Sequence, residues 1–190
     1  MKKISLSVFF SLVSIITFAQ SLKVVIRQDG KIVERKENIY QLKKAPFQFE
    51  FEATNLEGFS LGVTTDGGLY EEAVDFSNKE LSWFENTGMA EELYNKEKEL
   101  LVMDHSPSYW YYIDKNDHRF DRDPKGAPNK WIATRTIKQL YDVMTAEAVD
   151  FKNIEGNASI FLLMYIPVYN DDYKVISKKN LFDAELMFTD

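Results

Sequence analysis

The densest run of side chains suited to recognition chemistry is Tyr109-Trp110-Tyr111-Tyr112. In a strand, successive side chains alternate between faces, so Tyr109 and Tyr111 share one face and Trp110 and Tyr112 the other. One face must be core. If the other meets solvent, its flat amphipathic rings suit stacking on the apolar faces of sugars or anchoring a protein contact. Trp83 and Trp131 lie in the same irregular half of the sequence and are candidates for the same ligand-binding surface. The competing reading buries all of these rings between two layers, the usual place for large aromatics.

A second cluster follows. Asp114, Asn116, Asp117, Asp121 and Asp123 place oxygen-bearing side chains along one short polar segment. Hard cations such as calcium want about six to eight oxygens on a flexible loop. The match to an EF-hand fails, because the sixth position is Arg119 rather than glycine and the twelfth is Lys125 rather than glutamate. Lys115, Arg119 and Arg122 are interspersed and offer these carboxylates ion pairs instead. Calcium is therefore a weak candidate, and no other cofactor is indicated.

The two histidines are His105, in Met-Asp-His-Ser, and His118, in Asn-Asp-His-Arg. Asp104, His105 and Ser106 are the residue types of a hydrolytic triad. Neighbours along an extended chain point apart, however, whereas a triad needs its members converging in space. The histidine spacing fits neither H-x-H nor H-E-x-x-H, so it gives little support for zinc. Paired carboxylates occur at Glu71-Glu72, Glu91-Glu92 and Asp171-Asp172. Glycoside hydrolysis needs two carboxyls facing each other across roughly 5–9.5 Å, which adjacent surface pairs do not establish. Asn157-Ala158-Ser159 matches a glycosylation sequon that matters only in a glycosylating host.

These side chains must be positioned by a mostly β framework. Residues 22–27 form a β-branched run, Asp29-Gly30 follows, and 31–35 continue in kind, which is a strong short-range hairpin signal. Phe47, Phe49, Phe51 and Ala53 alternate with Gln48, Glu50 and Glu52, as a half-buried strand does. Asn55 to Gly58 reads as a turn, 59–65 as the next strand and Asp66-Gly67-Gly68 as another turn. Thr87 is a candidate cap for a short helix over 88–95. Strands are expected at 100–103 and 109–113, with a polar loop over 114–129. Residues 134–143 suit helix or strand by period, and their Thr, Ile, Tyr and Val content favours strand. The near-continuous apolar run at 160–168 predicts a central strand buried on both faces. Asn170-Asp171-Asp172 turns, and 181–188 closes as a strand.

The pattern predicts an all-β fold, a two-layer antiparallel β-sandwich of immunoglobulin-like or jelly-roll-like type. One or two short helices belong to an inserted region between residues 66 and about 130.

The amino terminus reads as an address. Lys2 and Lys3 precede an uncharged, largely apolar stretch over 4–19 that ends Thr17-Phe18-Ala19. A positive start, an apolar centre and a small-x-small exit form the pattern of a cleavable signal peptide over 1–19. The alternative, an uncleaved anchor, wants about 20 predominantly apolar residues. This stretch is shorter and is diluted by Ser5, Ser7, Ser11 and Ser14. The expected product, residues 20–190, is the size of one domain. It lies in the periplasm or outside the cell, with no membrane span after cleavage.

There is no cysteine, which removes thiol catalysis, thiolate metal sites, disulfides and cysteine-linked lipid. Without Lys2 and Lys3, the 23 basic residues fall to 21 against 30 acidic ones, a net charge of −9. That balance argues against nucleic acid, whose binding is led by phosphate neutralisation, and against anionic lipid surfaces.

The functional expectation is an exported, non-enzymatic interaction module for a protein or a glycan, with neutralisation of a secreted toxin as one form of the protein case. The alternative is a hydrolase acting on polysaccharide or cell wall through carboxylates such as Glu71, Glu72 or Asp104.

Overall fold

The computed structural model describes residues 19–84, 91–111, 119–123, 127 and 129–190. The signal-peptide expectation therefore falls outside the described residues, apart from Ala19. Among the described residues no helix is long and apolar enough to cross a membrane.

In chain order the elements are β1 (Ser21–Gln28), β2 (Lys31–Ile32), β3 (Arg35–Lys36), β4 (Ile39–Lys43), β5 (Phe47–Thr54), β6 (Gly58–Thr64) and α1 (Gly67–Asp75). There follow β7 (Leu100–Met103), β8 (Ser108–Tyr111), β9 (Asp121–Asp123), β10 (Lys130–Ile137), β11 (Gln139–Asp142), β12 (Glu147–Asp150), β13 (Ala158–Tyr169) and β14 (Val175–Thr189). Short 3₁₀ turns precede β7, three of them between residues 82 and 98.

Two large sheets face each other. One runs β2-β1-β5-β10-β9 and the other β3-β4-β14-β13-β6-β8, with a small third sheet β12-β11-β7. The interior is aromatic. Phe47, Phe49 and Phe51 descend from β5 at alternate positions, as the strand period dictates. They meet Phe188, Trp110 and Phe59 from the opposing sheet, with ring centroids 6.2, 6.4 and 5.7 Å apart respectively. The molecule is thus a β-sandwich. Two pairings, β14 with β4 and β11 with β7, are parallel. The other pairings among the described residues are antiparallel, as expected; β4 is reached from β3 and then runs alongside the last strand in the same sense.

The hairpin at Asp29-Gly30 forms as expected, with φ of 53° and 73°. Both central residues of a type I′ turn need positive φ, which this pair accepts at low cost.

Two departures stand out. Asp66-Gly67-Gly68 opens a helix rather than a turn: the Asp66 carboxylate accepts hydrogen bonds from the Gly68 and Leu69 backbone N–H groups at 2.8 and 3.2 Å, capping α1. The 114–129 loop is interrupted by β9, which pairs with β10 from Asp121↔Thr134 to Asp123↔Ile132. Residues 134–143 are strand, as their composition favoured, divided at Lys138 into the end of β10 and β11. The expected helix over 88–95 lies partly outside the described residues, and 91–94 form a 3₁₀ turn.

Strand β6 is buried along its whole length. Phe59, Leu61 and Val63 point into the sandwich, while Ser60, Gly62 and Thr64 lie under a further layer made by α1 and residues 76–84. Trp83, Phe84 and Ala73 of that layer pack on Leu163, Tyr165 and Val175. The Trp83 ring rests directly on Gly62: a Cβ built there would lie 2.7–2.8 Å from three ring carbons. The Tyr165 hydroxyl donates to the Trp83 carbonyl at 2.6 Å.

Arg135 occupies an inward position of β10, where the alternation calls for an apolar residue, and is 0% exposed. Its guanidinium donates to the carbonyls of Tyr94 at 2.8 Å, Arg119 at 3.0 Å and Leu100 at 3.5 Å. It also lies 4.8 Å from the Trp110 ring centroid. One buried fork thereby ties the 3₁₀ turn ending at Tyr94, the start of β7 and the turn before β9 to the sandwich, which is work a hydrocarbon side chain cannot do.

Candidate functional site

The long hairpin β13–β14 outruns its neighbours. The two strands pair from Ala158↔Phe188 to Tyr169↔Val175. Strand β6 accompanies β13 only from Phe161 to Tyr165, and β4 accompanies β14 only from Glu185 to Thr189. Residues 166–179 therefore form a two-stranded arm beyond both. Such a ribbon is marginal alone and must rest on something. One face rests on the α1 layer: Val175 is buried against Phe84 and Tyr165. Lys178 Nζ and Asn180 Nδ2 both donate to the Val74 carbonyl, at 2.7 and 3.2 Å, which satisfies an otherwise open helix-end acceptor. That partial burial holds the Lys178 ammonium below the usual lysine range.

The tip of the arm is built by Asn170. Its side-chain oxygen accepts from the backbone N–H groups of Asp172 at 3.1 Å and Lys174 at 2.8 Å, and its own N–H donates to the Lys174 carbonyl at 2.9 Å. This wrapping forces Tyr173 into the left-handed region, φ 61°. The Tyr173 side chain stands 72% exposed, with Val168, Tyr169 and Ile176 exposed along the same arm.

Tyr109 lies close by. It opposes Ser60 across β8 and β6, and Ser60 opposes Tyr165 across β6 and β13, so the three form one row on the outer face of the sheet. Tyr109 is 42% exposed. Its phenol is held above the ordinary tyrosine range, first by partial burial and then by the neighbouring Glu57 and Tyr169. Partial burial raises Tyr169 as well. Between the arm tip and the α1 layer runs a groove of about 610 Å³, walled by Lys79, Glu80 and Phe84 on one side and Asp172, Tyr173 and Lys174 on the other.

The sequence-derived aromatic candidates separate accordingly. Trp83, Trp110 and Trp131 are 1%, 1% and 6% exposed, so the expectation of a tryptophan platform is corrected. Trp83 plugs Gly62. Trp110 takes the inward side of β8 and packs edge-on against Phe51 and Phe120. Trp131 faces inward from β10 and donates its ring N–H to the Leu56 carbonyl at 2.6 Å. Alternation does separate Tyr109 from Trp110, but the shared interior claims the tryptophan. Tyr111 ends β8 opposite Gly58; its side chain and all of Tyr112 lie outside the described residues.

No family model, no characterised protein and no solved structure matches this chain.

Of the five oxygen-bearing candidates for calcium, Asp114, Asn116 and Asp117 lie outside the described residues. Asp121 and Asp123 are alternate residues of a strand rather than of a loop, and Asp121 accepts a 2.7 Å bond from Lys96. Among the described residues no group of three or more His, Asp or Glu side chains is placed to hold a metal.

Asp104 pairs with His105 at 2.6 Å, while Ser106 is buried. The expectation that the chain holds no G-x-S-x-G of a nucleophile elbow is corrected, because Gly58-Phe59-Ser60-Leu61-Gly62 has that spacing. An elbow requires a sharp strand-to-helix turn that exposes the serine. Here Ser60 sits mid-strand, paired on both sides and 6% exposed, so the spacing carries no nucleophile.

Glu71 and Glu72 are exposed on α1, and Asp104 follows β7; none of the three lines the arm groove.

The residues missed from the sequence are Val168, Tyr169, Tyr173 and Ile176. The Asn170-Asp171-Asp172 turn was visible, and a tyrosine one residue beyond it was the available signal.

Proposed function

We propose that this chain is an exported, non-enzymatic binding module that meets its ligand with the tip of the β13–β14 arm, the adjoining groove and Tyr109. The observation that carries this reading is Tyr173. Left-handed backbone costs a residue with a Cβ roughly 1–2 kcal/mol, and glycine or asparagine is the usual occupant. A bulky aromatic held there, 72% exposed and contributing nothing to the core, is explained by contact with something outside the molecule. Its neighbours support the same reading. Tyrosine and branched aliphatic side chains supply large contact area at low entropic cost, and they are gathered on one protruding element. Export is supported by the Lys2-Lys3 start and the apolar stretch that follows.

The test compares the parent with the double variant Tyr169→Ser/Ile176→Ser. Both side chains are about half exposed, so stability should change by no more than roughly 0.5 kcal/mol per site. The parent should retain a stoichiometric ligand from envelope extract or on a glycan array, and the variant should lose it. Equal retention by a variant of unchanged melting temperature would remove the arm from the account.

A further inference from the structure

We infer that the groove beside the arm tip binds a short neutral oligosaccharide, with one sugar ring stacked on Tyr173. This rests on the binding-module reading and deepens it. The groove walls carry two cations, Lys79 and Lys174, and two anions, Glu80 and Asp172. Among the described residues none of the four is engaged in an ion pair. Balanced charge gives neither an anion nor a cation a net attraction. It does give a dense alternation of strong donors and acceptors, and hydroxyl groups, each both donor and acceptor, match that alternation.

The apolar parts complete the match. The exposed Tyr173 ring and Ile176 flank the polar groups, and Phe84 adds an apolar surface to the wall carrying Lys79 and Glu80. A sugar presents the same mixture, hydroxyls at its rim and C–H groups on its faces. The groove volume of about 610 Å³ lies within the range of roughly 300–1,000 Å³ typical of small-ligand sites. Both walls are set in advance: Asn170 fixes the Asp172 and Lys174 backbone. Asn78 accepts from the Glu80 N–H at 3.1 Å while donating to Glu72 at 3.0 Å.

The arm also argues against the main protein alternative, addition of a partner strand. Its edges carry Pro167, which has no N–H to offer, and the exposed Lys179, a residue type that blunts an exposed strand edge. Recognition here is left to side chains.

The experiment prints neutral oligosaccharides of two to six units, of glucan, mannan, xylan and chitin type, beside polygalacturonate and heparin. The full chain recovered from an exporting host is applied, and hits are measured by calorimetry. Neutral oligosaccharides should bind. Tyr173→Ala should weaken binding about tenfold or more, while Tyr173→Phe, which keeps the ring, should stay within about threefold of the parent. Glu80→Gln with Asp172→Asn, neutral and isosteric, should also weaken binding. Binding confined to the charged polymers, or neutral binding indifferent to Tyr173→Ala, would overturn the inference. Circular dichroism confirms that each variant folds. If no glycan binds but a protein ligand is lost on Tyr169→Ser/Ile176→Ser, the oligosaccharide inference fails and the binding-module reading stands. If neither ligand is found, both fail.

Discussion

Gly62→Ala probes the contact on which the groove wall depends. The added methyl would sit 2.7, 2.7 and 2.8 Å from three carbons of the Trp83 ring. Carbon atoms pack best at about 3.5–4.0 Å, so the ring must retreat by close to 1 Å or tilt. Overpacking of this kind costs typically 1–3 kcal/mol. Against that, replacing a glycine whose φ is not in the left-handed region gains about 0.4–1 kcal/mol by restricting the unfolded chain. The net expectation is a loss of about 1–2 kcal/mol, a fall in melting temperature of roughly 2–8 °C for a domain of this size. The assay is urea unfolding followed by far-ultraviolet circular dichroism, repeated in a Trp83→Leu background. There the methyl has room, so Gly62→Ala should become neutral or stabilising, giving a coupling of about 1–2 kcal/mol. Because Phe84 follows Trp83 directly and walls the groove, the single variant should also weaken ligand binding. If Gly62→Ala proves as stable as the parent and shows no coupling to Trp83, the close approach, and with it the seating of the outer layer, is refuted.

Two further predictions concern buried polar groups. Arg135→Met strips donors from the carbonyls of Tyr94, Leu100 and Arg119. Part of that loss is offset because a guanidinium no longer has to be desolvated, leaving a net destabilisation of about 2–4 kcal/mol. Hydrogen exchange should accelerate in residues 91–103 and 119–123, and protection equal to the parent's would contradict the clamp. Tyr94 is held at a pKa of about 12, chiefly by burial and secondarily by nearby Asp104, against opposing contributions from Ser108 and Arg135. A raised folded-state value stabilises below the unfolded pKa near 10 and loses that contribution as pH climbs toward 12, about 2–3 kcal/mol in all. Tyr94→Phe should therefore flatten part of the alkaline unfolding profile between pH 10 and 12; superimposable profiles would show that this phenol is not responsible.

Much of the framework was legible because single strands declare themselves. The β-branched run before Asp29-Gly30 and the phenylalanine alternation at 47–51 depend only on the strand period. So does the apolar stretch at 160–165, covered by the opposing sheet on one face and the α1 layer on the other, whereas 166–168, expected in the same buried strand, run out into the arm, where Val168 is exposed. The helix was hidden because its first two residues are glycines, the weakest ordinary helix formers. It exists because Asp66 caps it and because Tyr70 and Ala73 find a sheet face to cover. Arg135 could not be foreseen, since its partners are backbone carbonyls from distant segments. The aromatic site was half legible. Alternation separates Tyr109 from Trp110, but which one faces solvent depends on which side of the sheet meets the core. The arm is a property of register, the difference between how far β13 and β14 extend and how far β6 and β4 follow them.

Tyr173→Gly separates the two demands most directly, because the central claim is that the arm tip is shaped for contact rather than for stability. Glycine relieves the left-handed strain at a cost in unfolded-chain entropy, so stability should hold or rise, by up to about 1 kcal/mol. Affinity for the ligand that the parent retains should fall about tenfold or more. A variant that melts lower than the parent and binds as tightly would contradict the account.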